Sequence, residues 1–208
     1  MQARASRILF DYWNGVRGSR FAPRRLEIEP ARIADILQDT FILERCDPRN
    51  WRYRLAGTRI CDSFGGELRG GSFLDGWEEA DRSELEHALT EVCQLGGVLR
   101  LELEARGTSP SRHAAFEAVL LPLVHMRPEA DRLLGALSCL DAPAWLGGER
   151  LTFRRLTAKE IIWPDGRPRA LLDGLNRQAP FLPEIRHARL VRSNRRQFRV
   201  YDGGRTSD

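Results

Sequence analysis

The chain has 208 residues, of which 42% are hydrophobic and 30% are charged, and its formal net charge is +4. This length and composition fit a soluble globular protein with one domain and some extensions. No stretch approaches the ~20 apolar residues that a membrane span needs, and the amino terminus lacks the apolar segment of a signal peptide, so we expect a cytoplasmic protein.

The charge is unevenly distributed along the chain. Residues 1–25 hold six Arg and one acidic residue, residues 26–150 are net acidic, and residues 151–208 hold 13 basic and six acidic residues. This segregation predicts an acidic folded core between two basic extensions. Almost all of the basic residues are Arg, and Lys159 is the single lysine.

The first predicted element is an amphipathic helix over residues 6–18. Leu9, Tyr12, Trp13 and Val16 recur at helical spacing and form one apolar stripe. Such a stripe must be buried, either on its own domain or on a second copy of the chain. We expect these four residues to form a dimer or partner surface.

The middle of the chain alternates between strands and helices. Hydrophobic periodicity and turn residues predict a hairpin of two strands, short broken helical turns, one long helix and three further strands. In chain order these elements are strands 40–45 and 51–56, the turns around 58–64, the helix 78–95, and strands 98–106, 114–124 and 133–140.

Residues 51–77 contain the most informative sequence motifs. They include Tyr53-Arg54-Leu55-Ala56-Gly57-Thr58, then Phe64-Gly65, then Leu68-Arg69-Gly70. This order of motifs resembles the bacterial single-PAS-domain proteins, whose signature runs Tyr-Arg-Leu-Ala-Gly-Thr, Phe-Gly and Leu-x-Gly. The resemblance covers residues 28–141 and implies a domain that senses or docks.

The resemblance and the element order together give the expected fold. It is an α+β, PAS-like, five-stranded antiparallel sheet with helices inserted after the second strand, preceded by the amphipathic helix. We expect three parts: residues 1–27 as the helix and lead-in, 28–141 as the PAS-like domain, and 142–208 as an Arg/Pro-rich extension, partly docked or mobile. The resemblance further implies that the leading helix packs in a homodimer.

A PAS-like fold places a cavity between the inner sheet face and its helices, and this cavity could admit a small-molecule ligand. Aromatic side chains fill a core as readily as they line a ligand site, so each candidate also has a plain core interpretation. The candidate pocket residues are Tyr53, Phe64, Phe73, Trp77, Leu89, Cys93, Leu101 and Phe116.

The identity of any cofactor is unknown, and the sequence argues against two common ones. His87 lies on the long helix, where haem-binding relatives carry a ligand, but its helical angle points it away from the apolar face. Residues 71–77 contain no thiol for a covalent flavin adduct. No nucleophile, phosphate-loop or metalloprotease motif is present, so we do not expect an enzyme.

We therefore expect a non-enzymatic sensory or regulatory protein that acts through contacts with an unidentified protein partner. One alternative is an adaptor whose PAS core is fully packed and binds no ligand. Another is a nucleic-acid accessory protein that uses the Arg-rich tail, although two interleaved aromatics are too few for a stacking platform. The tail arginines are Arg186, Arg189, Arg192, Arg195, Arg196 and Arg199.

Overall fold

The computed structural model of the protein describes residues 1–47, 49–107, 109, 112–127 and 129–166. This part of the chain is an α+β domain built on one antiparallel sheet. The helices are α1 Arg4–Arg17, α2 Thr58–Phe64 and α3 Glu79–Leu95, with 3-10 helices at Arg25–Glu27 and Pro30–Asp39. The strands are β1 Thr40–Asp47, β2 Asn50–Ala56, β3 Val98–Arg106, β4 His113–Val124, β5 Ala130–Cys139 and β6 Phe153–Ile162.

The strands lie side by side in the order β2-β1-β5-β4-β3-β6, and every neighbouring pair is antiparallel. The chain leaves the sheet after the β1–β2 hairpin, forms α2 and α3, and returns as β3. This arrangement confirms the predicted PAS-like fold class. The described sheet has six strands where five were expected, because β6 pairs along the outer edge of β3.

The carboxyl-terminal end of each α-helix follows from local sequence. α1 stops at Gly18, whose positive φ of 56° suits a residue without a Cβ. α3 stops in the same way at Gly96, which adopts a left-handed conformation. α2 is only seven residues long because Gly65 takes a left-handed conformation immediately after Phe64.

The sheet has two different faces. The inner face is covered by α2, α3 and the loop 65–78, and its core includes Leu101 and Phe116. The outer face is covered by α1 and the 3-10 helix Pro30–Asp39, and its core includes Leu9 and Trp13. Strand residues alternate between these two cores, as the pleat requires.

The described part of the segment beyond residue 141 contributes to both faces. β6 extends the sheet, and Asp165 receives two hydrogen bonds from the buried guanidinium of Arg17 in α1, at 3.0 and 3.1 Å. The expected extension at 142–208 therefore begins as an integral strand. Residues 167–208 lie outside the described residues.

Candidate functional site

Four aromatic rings cluster on the inner face next to β1 and β2. Phe41 lies 5.8 Å from Tyr53 and 6.2 Å from Phe73, and Trp77 lies 6.0 Å from Phe73, measured between ring centroids. All four side chains are buried. The cluster forms one wall of a cavity, and aromatic rings are rigid enough to keep such a wall in place.

The loop 65–78 supplies half of this wall and is held by backbone hydrogen bonds to β2. The N–H of Gly70 donates to the carbonyl of Tyr53 at 2.7 Å, and the N–H of Phe73 donates to the carbonyl of Trp51 at 2.7 Å. The indole N–H of Trp77 donates back to the carbonyl of Phe73 at 2.9 Å. These bonds fix both loop aromatics over the sheet.

The cavity lining also includes a buried cation, Arg154 of β6. This residue is 8% exposed, and its Cζ lies 4.5 Å from the ring centroid of Phe64. Its Nη1 donates to the carbonyls of Phe73 and Asp75 at 3.3 and 2.9 Å. The guanidinium thus ties the start of β6 to the loop that covers the cavity.

Backbone hydrogen bonds also connect the start of β6 to the loop 65–78. The N–H of Arg154 donates to the carbonyl of Gly76 at 2.6 Å, and the N–H of Glu78 donates to the carbonyl of Arg154 at 3.2 Å. Gly76 has a φ of 76°, and a Cβ there would meet the carbonyl oxygen of Thr152 at 2.5 Å. Only glycine allows this close approach between loop and strand.

Burial dominates the electrostatics of the inner face. It raises the pKa of the Tyr53 hydroxyl, while the positive charge of Arg154 acts in the opposite direction. Burial also raises the pKa of the Cys93 thiol to about 12. Both groups are therefore protonated and neutral near pH 7.

The space enclosed by these residues is small as it stands. It amounts to about 10 Å³, the room of about one water molecule. A second cavity of about 290 Å³ lies between α2 and the end of β5, and Leu137 lines both. The central cavity is lined by Phe41, Tyr53, Phe64, Phe73, Trp77, Leu101, Leu103, Ala118, Leu137 and Arg154.

Five of the eight residues expected at a pocket line the central cavity: Tyr53, Phe64, Phe73, Trp77 and Leu101. Phe116 packs against Phe64 at 5.8 Å between centroids and lines the neighbouring cavity. Leu89 and Cys93 are buried on α3, in the core beside the cavity.

Sequence reasoning missed Arg154, the charged residue among those described in the cavity lining. Arg154 lies two positions before Leu156, which packs against the inner core, so the strand period of two places both on one face. In β6 it is paired with Ala105 of β3, whose short side chain leaves space for a guanidinium. The missing signal was the pairing of β6 itself, which no local pattern revealed.

The apolar stripe of α1 divides into two pairs. Leu9 and Trp13 are fully buried against the outer face of their own sheet, and the indole N–H of Trp13 donates to the carbonyl of Pro122 at 2.8 Å. Tyr12 and Val16 are partly exposed. Of the two ways to bury the stripe, the structure uses the chain's own domain for Leu9 and Trp13, which leaves only Tyr12 and Val16 accessible to a second copy.

The remaining candidates are placed as follows. His87 is exposed on α3, and its Nδ1 lies 2.7 Å from the carbonyl oxygen of Ser83. Within the described ranges, no helix has the length and apolar character to cross a membrane, and no group of three or more His, Cys, Asp or Glu side chains could hold a metal ion. The tail arginines between Arg186 and Arg199 lie outside the described residues.

The comparison with known protein families agrees with the observed fold. A family model described as a PAS domain matches residues 1–138. This chain belongs to the PAS domain family. No curated protein and no solved structure matches the chain.

Membership in this family suggests a sensory or regulatory role, because PAS domains are generally sensory modules rather than catalysts. The matched region contains α1, the strands β1 to β4 and β5 up to its penultimate residue. Strand β6 and Arg154 lie beyond it. This PAS domain thus has a cavity whose aromatic wall lies within the family region and whose cation lies outside it.

Proposed function

We propose that this protein is a non-enzymatic PAS sensory protein in which the inner-face cavity receives a small molecule. The observation that carries the proposal is the cavity itself, which is lined by Tyr53, Phe64, Phe73 and Trp77. The loop 65–78 that covers it is hydrogen-bonded to β2 and to β6. A mostly apolar concave site with few polar groups is the usual form of a small-molecule site.

The proposed output is a change in protein contacts made through α1. PAS domains commonly dimerise, and Tyr12 and Val16 are the accessible part of the α1 stripe. α1 also contacts β4 and β5, whose opposite face forms part of the cavity floor. A ligand that shifts these strands would change the support beneath α1 and so favour one arrangement of the partners.

Native mass spectrometry tests both parts of the proposal. Protein purified under mild conditions is expected to carry extra mass that is lost on denaturation, and to include a dimer. Val16→Glu is expected to shift the dimer to monomer, whereas the exposed Arg7→Glu on the same helix is the matched control. A monomer in every preparation would contradict the proposed output, and a protein that gains no mass with any small molecule would contradict the proposed input.

A PAS adaptor with a packed core is the second candidate. It is favoured by the size of the central cavity, about 10 Å³, which a single water would fill. For an adaptor, partner binding would persist unchanged when the cavity is filled by a larger side chain, for example in Ala118→Leu. For a sensor, the same substitution would abolish the response to ligand.

A further inference from the structure

The guanidinium of Arg154 is buried without a carboxylate. It is 8% exposed, and no described Asp or Glu lies within ion-pair distance of it. Both of its described side-chain hydrogen bonds use Nη1 and go to neutral carbonyls. Burying a cation without an opposite charge is costly, so a buried arginine is ordinarily paired.

Two of its donors have no acceptor in the described part of the chain. Nε and Nη2 donate to none of the described residues, although a guanidinium presents five N–H groups in a planar fork. Arg154 lines the central cavity, so an anion bound in the cavity lies beside these donors. The fork geometry matches the two oxygens of a carboxylate.

The Tyr53 hydroxyl adds a third donor to the lining of the same cavity. The Tyr53 side chain is 5% exposed and lines the same cavity, and its hydroxyl has no hydrogen-bond partner among the described residues. Burial raises its pKa, so the hydroxyl keeps its proton and can donate. The other described residues that line the cavity are apolar or aromatic.

A route for a larger ligand runs past Leu137. Leu137 lines both the central cavity and the neighbouring cavity of about 290 Å³. The second cavity also presents the apolar side chains of Ile60, Phe116 and Leu146. Polar residues, including the ion pair Arg59–Asp39, line other parts of this second cavity. A rotation of Leu137 would join the cationic site to the apolar part of the second cavity.

Resting on the sensory function proposed above, we infer that the cavity binds a small organic carboxylate, with its carboxylate on Arg154 and Tyr53 and its apolar body directed past Leu137. The carboxylate neutralises the buried guanidinium and takes up its two free donors. Because Nη1 of Arg154 also holds the loop carbonyls of Phe73 and Asp75, the bound anion acts on the loop that closes the cavity.

Ligand-observed NMR titration of the full chain tests this inference with two pairs of probes. Butyrate and hexanoate carry the charge, while butyramide and hexanamide have nearly the same shape without it. We expect each carboxylate to bind at least tenfold more tightly than its amide, since a hydrogen bond to a charged group contributes about 1.5–3 kcal/mol and 1.4 kcal/mol is tenfold. Hexanoate should bind more tightly than butyrate by about fourfold per methylene.

Three variants assign the effect to the site. Arg154→Gln is expected to remove the preference for carboxylate over amide, and Tyr53→Phe to weaken hexanoate binding several-fold. Arg155→Gln is the matched control: Arg155 is the next residue of β6, is exposed and pairs with Glu104 at 2.8 Å. It is expected to leave both Kd values unchanged.

The outcomes separate this inference from the proposed function. Equal binding of amide and carboxylate would overturn the anion site and leave a sensory cavity in place. Hexanoate binding that is equal in Arg154→Gln and the parent chain would place the site elsewhere and overturn the inference. Binding of neither probe pair overturns the inference alone, because gain of another small molecule in native mass spectra would still support a sensor. If Arg154→Gln fails to fold, the inference is still tested by the preference of the parent chain for carboxylate over amide and by the affinity of Tyr53→Phe for hexanoate.

Discussion

The outer and inner faces of the sheet are built from the same strands but differ in how their polar groups are hydrogen-bonded. On the outer face, two buried polar groups meet protein partners: the indole N–H of Trp13 donates to the carbonyl of Pro122, and the carboxylate of Glu117 accepts from three donors. On the inner face, the Tyr53 hydroxyl and two donors of Arg154 meet no described partner. A closed face gives stability, whereas unused donors beside a cavity leave a place for a ligand.

The largest expected effect removes the anchor of the outer face. Trp13 is fully buried, so Trp13→Ala leaves a large cavity and loses a hydrogen bond. We expect the free energy of unfolding to fall by about 3–5 kcal/mol in chemical denaturation. The partly exposed Val16→Ala on the same helix should cost under about 1 kcal/mol. If both substitutions cost the same, α1 is not docked as the structure shows.

The second effect concerns the polar network under the start of α1. Glu117 is fully buried and accepts hydrogen bonds from the N–H groups of Gln2 and Ala3 at 2.8 and 3.0 Å, and from Nε of Arg100 at 3.0 Å. Glu117→Ala breaks a buried pair and leaves its partners without an acceptor, so we expect a loss of about 3 kcal/mol. Glu160→Gln removes an exposed partner of the same arginine and should cost less than about 1 kcal/mol.

The same network predicts a dependence of stability on pH. Burial alone raises the pKa of Glu117, but hydrogen bonds from Gln2, Ala3 and Arg100 outweigh it and hold the pKa below its ordinary value. A lowered pKa in the folded state stabilises the protein above the pKa of the unfolded chain. This stability is lost as the pH falls through the folded-state pKa. Thermal unfolding across the acid range should show a weaker slope in Glu117→Gln than in the parent chain.

The smallest expected effects come from replacing single glycines by alanine. A Cβ at Gly135 would collide with the ring of Phe41, which lines the cavity. Gly135→Ala should therefore cost about 1–3 kcal/mol and push Phe41 into the cavity, weakening hexanoate binding. Gly15 of α1 has open space around it, so Gly15→Ala should stabilise the protein by about 0.5–1 kcal/mol without affecting ligand binding. If Gly135→Ala and Gly15→Ala bound hexanoate with equal affinity, Phe41 would not be part of the ligand site.

Much of the fold was predictable because its elements carry local signals. The alternation of Leu99, Leu101 and Leu103 predicted β3, and the helical spacing of Leu85, Leu89 and Val92 predicted α3. Tyr53 and Leu101 line the cavity because the strand period fixes which side chains share a face, whereas Phe64 lies on α2 and Phe73 and Trp77 lie on the loop 65–78. Periodicity reports a face, but it does not report what packs on that face.

Local patterns and the PAS resemblance therefore predicted the order of the elements up to β5, the PAS-like architecture and four of the five aromatic residues that line the cavity, Phe41 being the one that was missed. Only the tertiary structure decided that α1 buries Leu9 and Trp13 on its own domain and that β6 joins the edge of β3. These are pairings between segments far apart in the chain, and no local pattern encodes them. The position of Arg154 depends on such a pairing, because the side chain enters the cavity only when β6 lies against Ala105.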